Sequence, residues 1–277
     1  MQSVTSLSAR VRRAFLALLV PWVLVGHGCG DNLAARDPGL PAITYDDPLT
    51  LDSSLATGVS DGVSGIEEVR ALADGRVVYC TSRAGVVVVD ATDPRAMTEK
   101  TRLATGPCQH VAVSGDVLYV AHRGDASDSD SRISVWNLAD PPAPITTFRR
   151  PGTSFEGMTA AGDLLYVAAH EHGVLVLERV ADTLVERGAL DSGFGNAWDV
   201  IVHDTTAYVA DATGGFATVD VADPAQPVLL GQTAPGAIEG SPMSLAQDDS
   251  GIVYVGAGYG GIAVVDARDP SAPRVTA

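Results

Sequence analysis

Glu68, His110, Glu156 and Asp199 are imidazole and carboxylate side chains, the ligand types that suit a divalent cation. They lie far apart in the chain, and no short ligand signature, such as two histidines on one helix turn, joins them. Only a fold that brings one residue from each of several segments to a common point could make them a metal site. The plainer reading is a set of polar residues lining a hydrated channel. His170-Glu171-His172 is a second cation candidate, but on a strand its histidines would share one face with Glu171 opposite, and an exposed loop is the plainer reading. Asp125, Asp128 and Asp130, in the run GDASDSDS, lack the Gly and distal Glu of a calcium loop and read as an acidic insertion. Cys108 and His110 are two residues apart, as a nucleophile and base on one strand would be, yet no third orienting group is identifiable. No Gly-rich phosphate loop or Ser nucleophile elbow is present, which disfavours kinases, dehydrogenases and α/β-hydrolases.

The remaining candidates are binding residues. Trp198, Met243 and Tyr259 are apolar anchors of the kind that dominate a recognition surface, and Asp211 lies in a Gly-rich turn nearby in sequence. Cys80 and Cys108 are two of the three cysteines, and they are either bridged or buried as thiols.

Composition limits the partners. The chain carries 34 acidic and 18 basic residues, a net charge of -16, and Lys100 is its only lysine. Nucleic acid is excluded by that balance, because phosphate binding needs a basic footprint. The basic residues are unevenly placed. Arg10, Arg12 and Arg13 precede an apolar run from Ala14 to Val25, and no acidic residue occurs before Asp31. A basic start and an apolar core of about 12 residues read as an export signal, too short to span a membrane comfortably. Small residues then lead into Cys29, which resembles the lipobox of bacterial lipoproteins, with Gly26 and His27 departing from its usual pattern. The resemblance implies acylation at Cys29, and Gly30 after it implies passage to the outer membrane. Secretion without a lipid is the alternative. Arg12-Arg13 also resembles a twin-arginine signal, although no Ser or Thr precedes the pair. The expected division is therefore a signal peptide over 1–28, a disordered tether over 29–48 and a folded domain over 49–277. Without residues 1–28 the chain has 15 basic against 34 acidic residues, or -19, so membrane attachment is expected through the lipid alone.

The folded domain is a repeat. Tyr79, Tyr119, Tyr166, Tyr208 and Tyr254 are separated by 40, 47, 42 and 46 residues, and each sits in a short apolar run. A second run follows each one, at 86–90 (VVVVD), 133–137 (ISVWN), 174–178 (VLVLE), 217–221 (ATVDV) and 262–266 (IAVVD). Asp-Pro then closes the unit at Pro94, Pro141, Pro224 and Pro270, and Asp182-Thr183 replaces it in the third. Further apolar stretches precede the Tyr run and follow the Asp-Pro. Run lengths of about 4–6 with β-branched residues and bounding Gly, Asp and Pro favour strands. Four strands in about 44 residues is the spacing of a β-propeller blade, which makes the domain all-β.

The runs VVVVD and IAVVD, with the Tyr runs and Asp-Pro turns, resemble the LVIVD repeat family over residues 66–277. The resemblance implies a β-propeller, commonly on exported bacterial proteins, and brings no established catalytic residues. Five blades are visible. They make either a five-bladed ring, closed by Leu49–Gly58 as an extra outer strand, or part of a six- or seven-bladed one. Naming the strands of each blade a to d from the centre outward, the a–b and c–d turns share one face and are monotonous. The b–c and d–a loops share the other face and are varied. Glu68, His110, Glu156, Trp198, Asp199, Asp211 and Tyr259 fall there, where binding usually resides. The leading reading is a lipid-anchored, non-enzymatic module that binds protein or glycan and needs no cofactor. The alternative is a metal-dependent hydrolase or lactonase at the channel mouth.

Overall fold

The computed structural model describes residues 65–82, 85–122, 131–248 and 250–277. The export signal, Cys29, the tether, Leu49–Gly58, Arg83, Arg123 and the Asp125, Asp128 and Asp130 loop lie outside the described residues. The described residues up to 93 and from 97 onward belong to one compact unit, which carries the blades.

Among the described residues, twenty strands form five four-stranded antiparallel sheets, each in simple chain order. The first blade is β1 (Ile66–Ala71), β2 (Arg76–Thr81), β3 (Gly85–Asp90) and β4 (Thr98–Leu103). The second is β5 (His110–Ser114), β6 (Val117–His122), β7 (Arg132–Asn137) and β8 (Ala143–Phe148). The third is β9 (Met158–Ala161), β10 (Leu164–Ala168), β11 (Val174–Val180) and β12 (Thr183–Leu190). The fourth is β13 (Ala197–His203), β14 (Thr206–Asp211), β15 (Gly215–Asp220) and β16 (Val228–Gln232). The fifth is β17 (Ser244–Gln247), β18 (Ile252–Gly256), β19 (Ile262–Asp266) and β20 (Arg274–Val275). The inner strands β1, β5, β9, β13 and β17 neighbour one another in that order, as the blades of a propeller do.

The second and third strands of blades two to four are apolar on both faces because each of these sheets is sandwiched between neighbours. Val78, Cys80, Val86 and Val88 of blade one pack on Val111, Leu118 and Val120 of blade two. Tyr119, Ile133 and Val135 of blade two meet Leu165, Val167 and Leu175 of blade three. Tyr166 and Val176 meet Val200, Val209 and Val219, and Tyr208 and Phe216 meet Val253, Val255 and Val265. The repeated tyrosine is thus the residue a blade turns towards its successor.

Blade one breaks that rule by one residue. Tyr208 pairs with Thr218, and Asp220 pairs with Thr206, which places Tyr208 two residues into its strand. In blade one Asp90 pairs with Arg76, so the matching position is Val78, and Tyr79 pairs with Val87 on the opposite face. Tyr79 stands three residues after Arg76 where Tyr208 stands two after Thr206, and the period of two sends a side chain shifted by one residue to the other side of the sheet.

The acidic residues of the repeat are turn caps. Asp90, Asp220 and Asp266, ending the third strands, accept the N–H two residues on from Thr92, Ala222 and Arg268. Asp223 and Asp269 of the Asp-Pro pairs do the same for Ala225 and Ser271. These are Asx turns, which explains two aspartates at fixed spacing without any ligand. The outer strand of blade five comes from the C-terminal residues: Arg274 and Val275 pair with Asp266 and Val265, and Thr276 donates to the Val264 carbonyl.

Candidate functional site

Three of the four candidate cation ligands occupy equivalent places at the start of an inner strand. Glu68 pairs with Cys80, His110 with Ala121 and Asp199 with Ala210. They converge. His110 Nε2 lies 3.1 Å from Glu68 Oε2, and the charges of Asp199 and Glu156 both act on the His110 ring. Sequence reasoning missed the fifth member, Arg70, whose guanidinium pairs with Glu68 and feels Asp199. A signal was present, since Arg70 stands in the strand position held by Ile201 in blade four.

The ligand atoms of this cluster are already engaged in joining blades. His110 Nδ1 accepts the Met158 N–H of the next blade at 3.2 Å. Asp199 Oδ2 accepts the Leu245 N–H of blade five at 2.9 Å, and Oδ1 accepts the Val200 N–H at 2.8 Å. Between blades three and four Gly157 N–H donates to the Trp198 carbonyl at 2.8 Å, and the Thr159 hydroxyl donates to the Val200 carbonyl. Gly157 takes the register of His110 and Asp199 for a steric reason: a Cβ there would lie 2.2 Å from Asp199 Oδ1. Glu156, beside it, is 1% exposed and accepts the Ser154 hydroxyl at 3.0 Å. Among the described residues no three His, Cys, Asp or Glu side chains are placed to hold a metal ion together.

The electrostatics follow from this arrangement. Burial holds the His110 pKa down at about 4, with the Arg70 charge adding to the effect. The hydrogen bonds agree, because Nδ1 faces a backbone N–H and has no room for a proton, while Nε2–H points at Glu68. Arg70 is itself pulled down by burial. The centre of the propeller is a hydrogen-bonded clasp of a carboxylate, a guanidinium and a neutral imidazole.

The other candidates divide between scaffold and surface. Asp211 is 1% exposed, and its carboxylate accepts N–H groups from Gly195, Asn196, Thr213 and Gly214 together with the Thr213 hydroxyl. It ties the loop before β13 to the β14–β15 turn, and those bonds hold its pKa below the usual carboxylate range against the opposing effect of burial. His122 is also buried. Its Nδ1 donates to the Pro107 carbonyl at 2.6 Å, and its Nε2 meets Ser134 Oγ at 2.8 Å, which also accepts the Trp136 indole N–H. Cys80 and Cys108 are joined in a disulfide that links blade one to the loop before β5. His172 is tied to the Gly152 carbonyl.

Trp198 and Tyr259 behave differently. Trp198 is the extra residue of a β-bulge between Ala197 and Asp199, so it leaves the ladder and stands half-buried at the end of β13. His170, held at φ 55, places its ring 6.3 Å from the Trp198 ring. Tyr259 lies in a Gly-rich 3-10 turn, Gly258–Gly260, and is fully exposed; Met243 is exposed as well.

Comparison with known proteins decides the family. The model of the LVIVD repeat matches residues 105–126 and 194–234, which cover the first two strands of blade two and the whole of blade four. This chain is an LVIVD-repeat β-propeller. No curated protein matches it. Solved structures similar to the LVIVD propeller include a protein from Lactobacillus plantarum, 19% identical over 73% of this chain and 66% of that one, with a TM-score of 0.59. The WD40 β-propeller domain of Doa1 is 15% identical over 75% of this chain and 67% of its own, with a TM-score of 0.58. The computationally designed Ika8 protein is 16% identical over 71% and 56%, with a TM-score of 0.54. At these identities the likeness concerns the fold. The chain spans from 56% to 67% of the length of these three structures.

Proposed function

We propose that this LVIVD propeller is a non-enzymatic binding module that presents its loop-rich face to a protein or glycan of the cell envelope. The observation that carries the reading is the contrast between two groups of residues on that face. Glu68, His110, Asp199 and Asp211 spend their polar atoms on the scaffold, whereas Trp198 at its bulge and the exposed Tyr259 and Met243 offer aromatic and thioether surface. The aromatic side chains supply contact area at low entropic cost. The mature chain is held at the outer membrane through a lipid on Cys29, with residues 29–48 as the tether.

Retention of the full chain by isolated cell envelopes tests the binding reading. Trp198→Ala together with Tyr259→Ala abolishes retention in excess of that given by the anchor and leaves the thermal midpoint unchanged. Equal retention of a variant that folds normally refutes it. Cys29→Ala releases the chain from membranes, and unchanged fractionation removes the anchor.

A further inference from the structure

Charge is spread unevenly along the blades. Arginines of the first three are matched to carboxylates: Arg76 joins Asp74 and Asp116, Arg102 joins Glu99, and Arg150 reaches Glu186 and Asp191. Arg179 and Arg187 pair with Asp163 and Glu178. Beyond Arg187 the supply stops. From Gly188 to Ala267 the chain has no lysine or arginine and carries ten acidic residues. That stretch runs through the whole of blade four and the first three strands of blade five.

The two aromatic anchors of the loop-rich face stand in this stretch, and each has an exposed carboxylate close by. His170, whose ring lies 6.3 Å from that of Trp198, is followed by Glu171, with a side chain 71% exposed. Glu239 stands beside Tyr259, because the loop before β17 is pressed onto the Gly258–Gly260 turn. A Cβ on Gly260 would lie 1.7 Å from the Glu239 carbonyl oxygen, and the Ser241 N–H donates to the Ala257 carbonyl. Glu239 and Tyr259 are both exposed. Among the described residues Glu171 has only His170 as an ionic neighbour, at 4.0 Å, and Glu239 has no arginine or lysine partner. The contrast with Asp199 and Asp211, whose oxygens are claimed by backbone N–H groups, is complete.

An aromatic ring attracts a cation to its face, and a carboxylate beside the ring strengthens the attraction. A surface that lacks cations of its own also holds a negative potential, which draws basic ligands and repels anionic ones. A neutral sugar could stack on Trp198, but it would gain nothing from the two carboxylates or from the absence of arginine and lysine. We infer that the loop-rich face of blades three to five takes a basic polypeptide segment, whose arginine or lysine side chains lie on Trp198 and Tyr259 and pair with Glu171 and Glu239. This rests on the binding reading above and names the partner.

Fluorescence anisotropy of a labelled peptide alternating arginine and glycine, titrated with the full chain, tests it. The peptide binds at low salt and is released as salt rises through the physiological range. Glu171→Gln with Glu239→Gln weakens binding roughly five- to tenfold and leaves the thermal midpoint unchanged, since both side chains are exposed. Asp220→Asn with Asp223→Asn removes the same charge from the opposite face, keeps the turn-capping oxygens and leaves binding unchanged. Equal losses from the two double variants reduce the effect to a general attraction for polycations and overturn the inference, as does a peptide that fails to bind. Envelope retention that needs Trp198 and Tyr259 but ignores salt and the Glu171→Gln, Glu239→Gln pair assigns the face to an uncharged glycan, so the binding reading survives and the basic partner does not. Peptide binding without envelope retention has the opposite outcome.

Discussion

Replacing Asp211 distinguishes a scaffold residue from a ligand. Its Oδ1 accepts three backbone N–H groups, from Asn196, Thr213 and Gly214, as well as the Thr213 hydroxyl, while Oδ2 accepts only the Gly195 N–H, at 2.7 Å. Asp211→Asn keeps the crowded oxygen and turns its amide towards Gly195, where two donors then face each other. One unsatisfied buried donor costs about 1–3 kcal/mol. Asp211→Ala strips all the donors at once, and water entering the site recovers part of the loss, so about 4 kcal/mol is expected. For a domain of this size each kcal/mol lowers the thermal midpoint by roughly 2–4 °C. The alanine variant should therefore melt about 8–16 °C lower and the asparagine variant a few degrees lower, read by calorimetry or urea unfolding. The carboxyl also links this stabilisation to pH. Its folded pKa is depressed, so the contribution is fully present above the unfolded value of ~3.9 and is lost as pH falls through the folded pKa. An Asp211→Ala protein that melts like the parent but no longer binds its partner would refute the scaffold role and restore Asp211 as a ligand.

Two further predictions concern the blade junctions. His110 and His122 are both held down at about 4, chiefly by burial, so the unfolded chain binds more protons than the folded one between that pH and ~6.5. Stability is full above ~6.5 and falls as pH drops towards 4, by up to about 3 kcal/mol per histidine. Urea midpoints from pH 7 to 4 should decline, and His122→Gln should flatten part of the slope; an unchanged slope would exclude His122 as a buried neutral group. The Cys80–Cys108 disulfide closes 28 residues, worth about 3.5 kcal/mol by loop entropy, so Cys80→Ser lowers the unfolding free energy by an amount of that order. Insensitivity to both the mutation and a reductant would show that the bridge adds nothing to the junction of blades one and two.

The blade was legible in the chain because its parts are local. A valine run ending in Asp, a Gly turn and an Asp-Pro cap their own backbone within two residues, so strand, turn and repeat length can all be read from neighbours in sequence. The shared register of Glu68, His110 and Asp199 was legible for the same reason. Their use was not: the N–H groups that claim His110 and Asp199 belong to Met158 and Leu245, each 46 or more residues away on the next blade. Arg70 at the centre, and the burial of Asp211 on the face expected to bind, likewise depend on how one sheet lies against another. Tyr79 shows the limit most simply. By spacing it is the first of five equivalent tyrosines, yet it stands one residue later in its strand and so points to the other side of its sheet. Sequence alone determined that this protein is a chain of four-stranded blades. Only the tertiary structure decided which of its polar residues clasp the blades together, because that depends on contacts between blades that local chemistry does not encode.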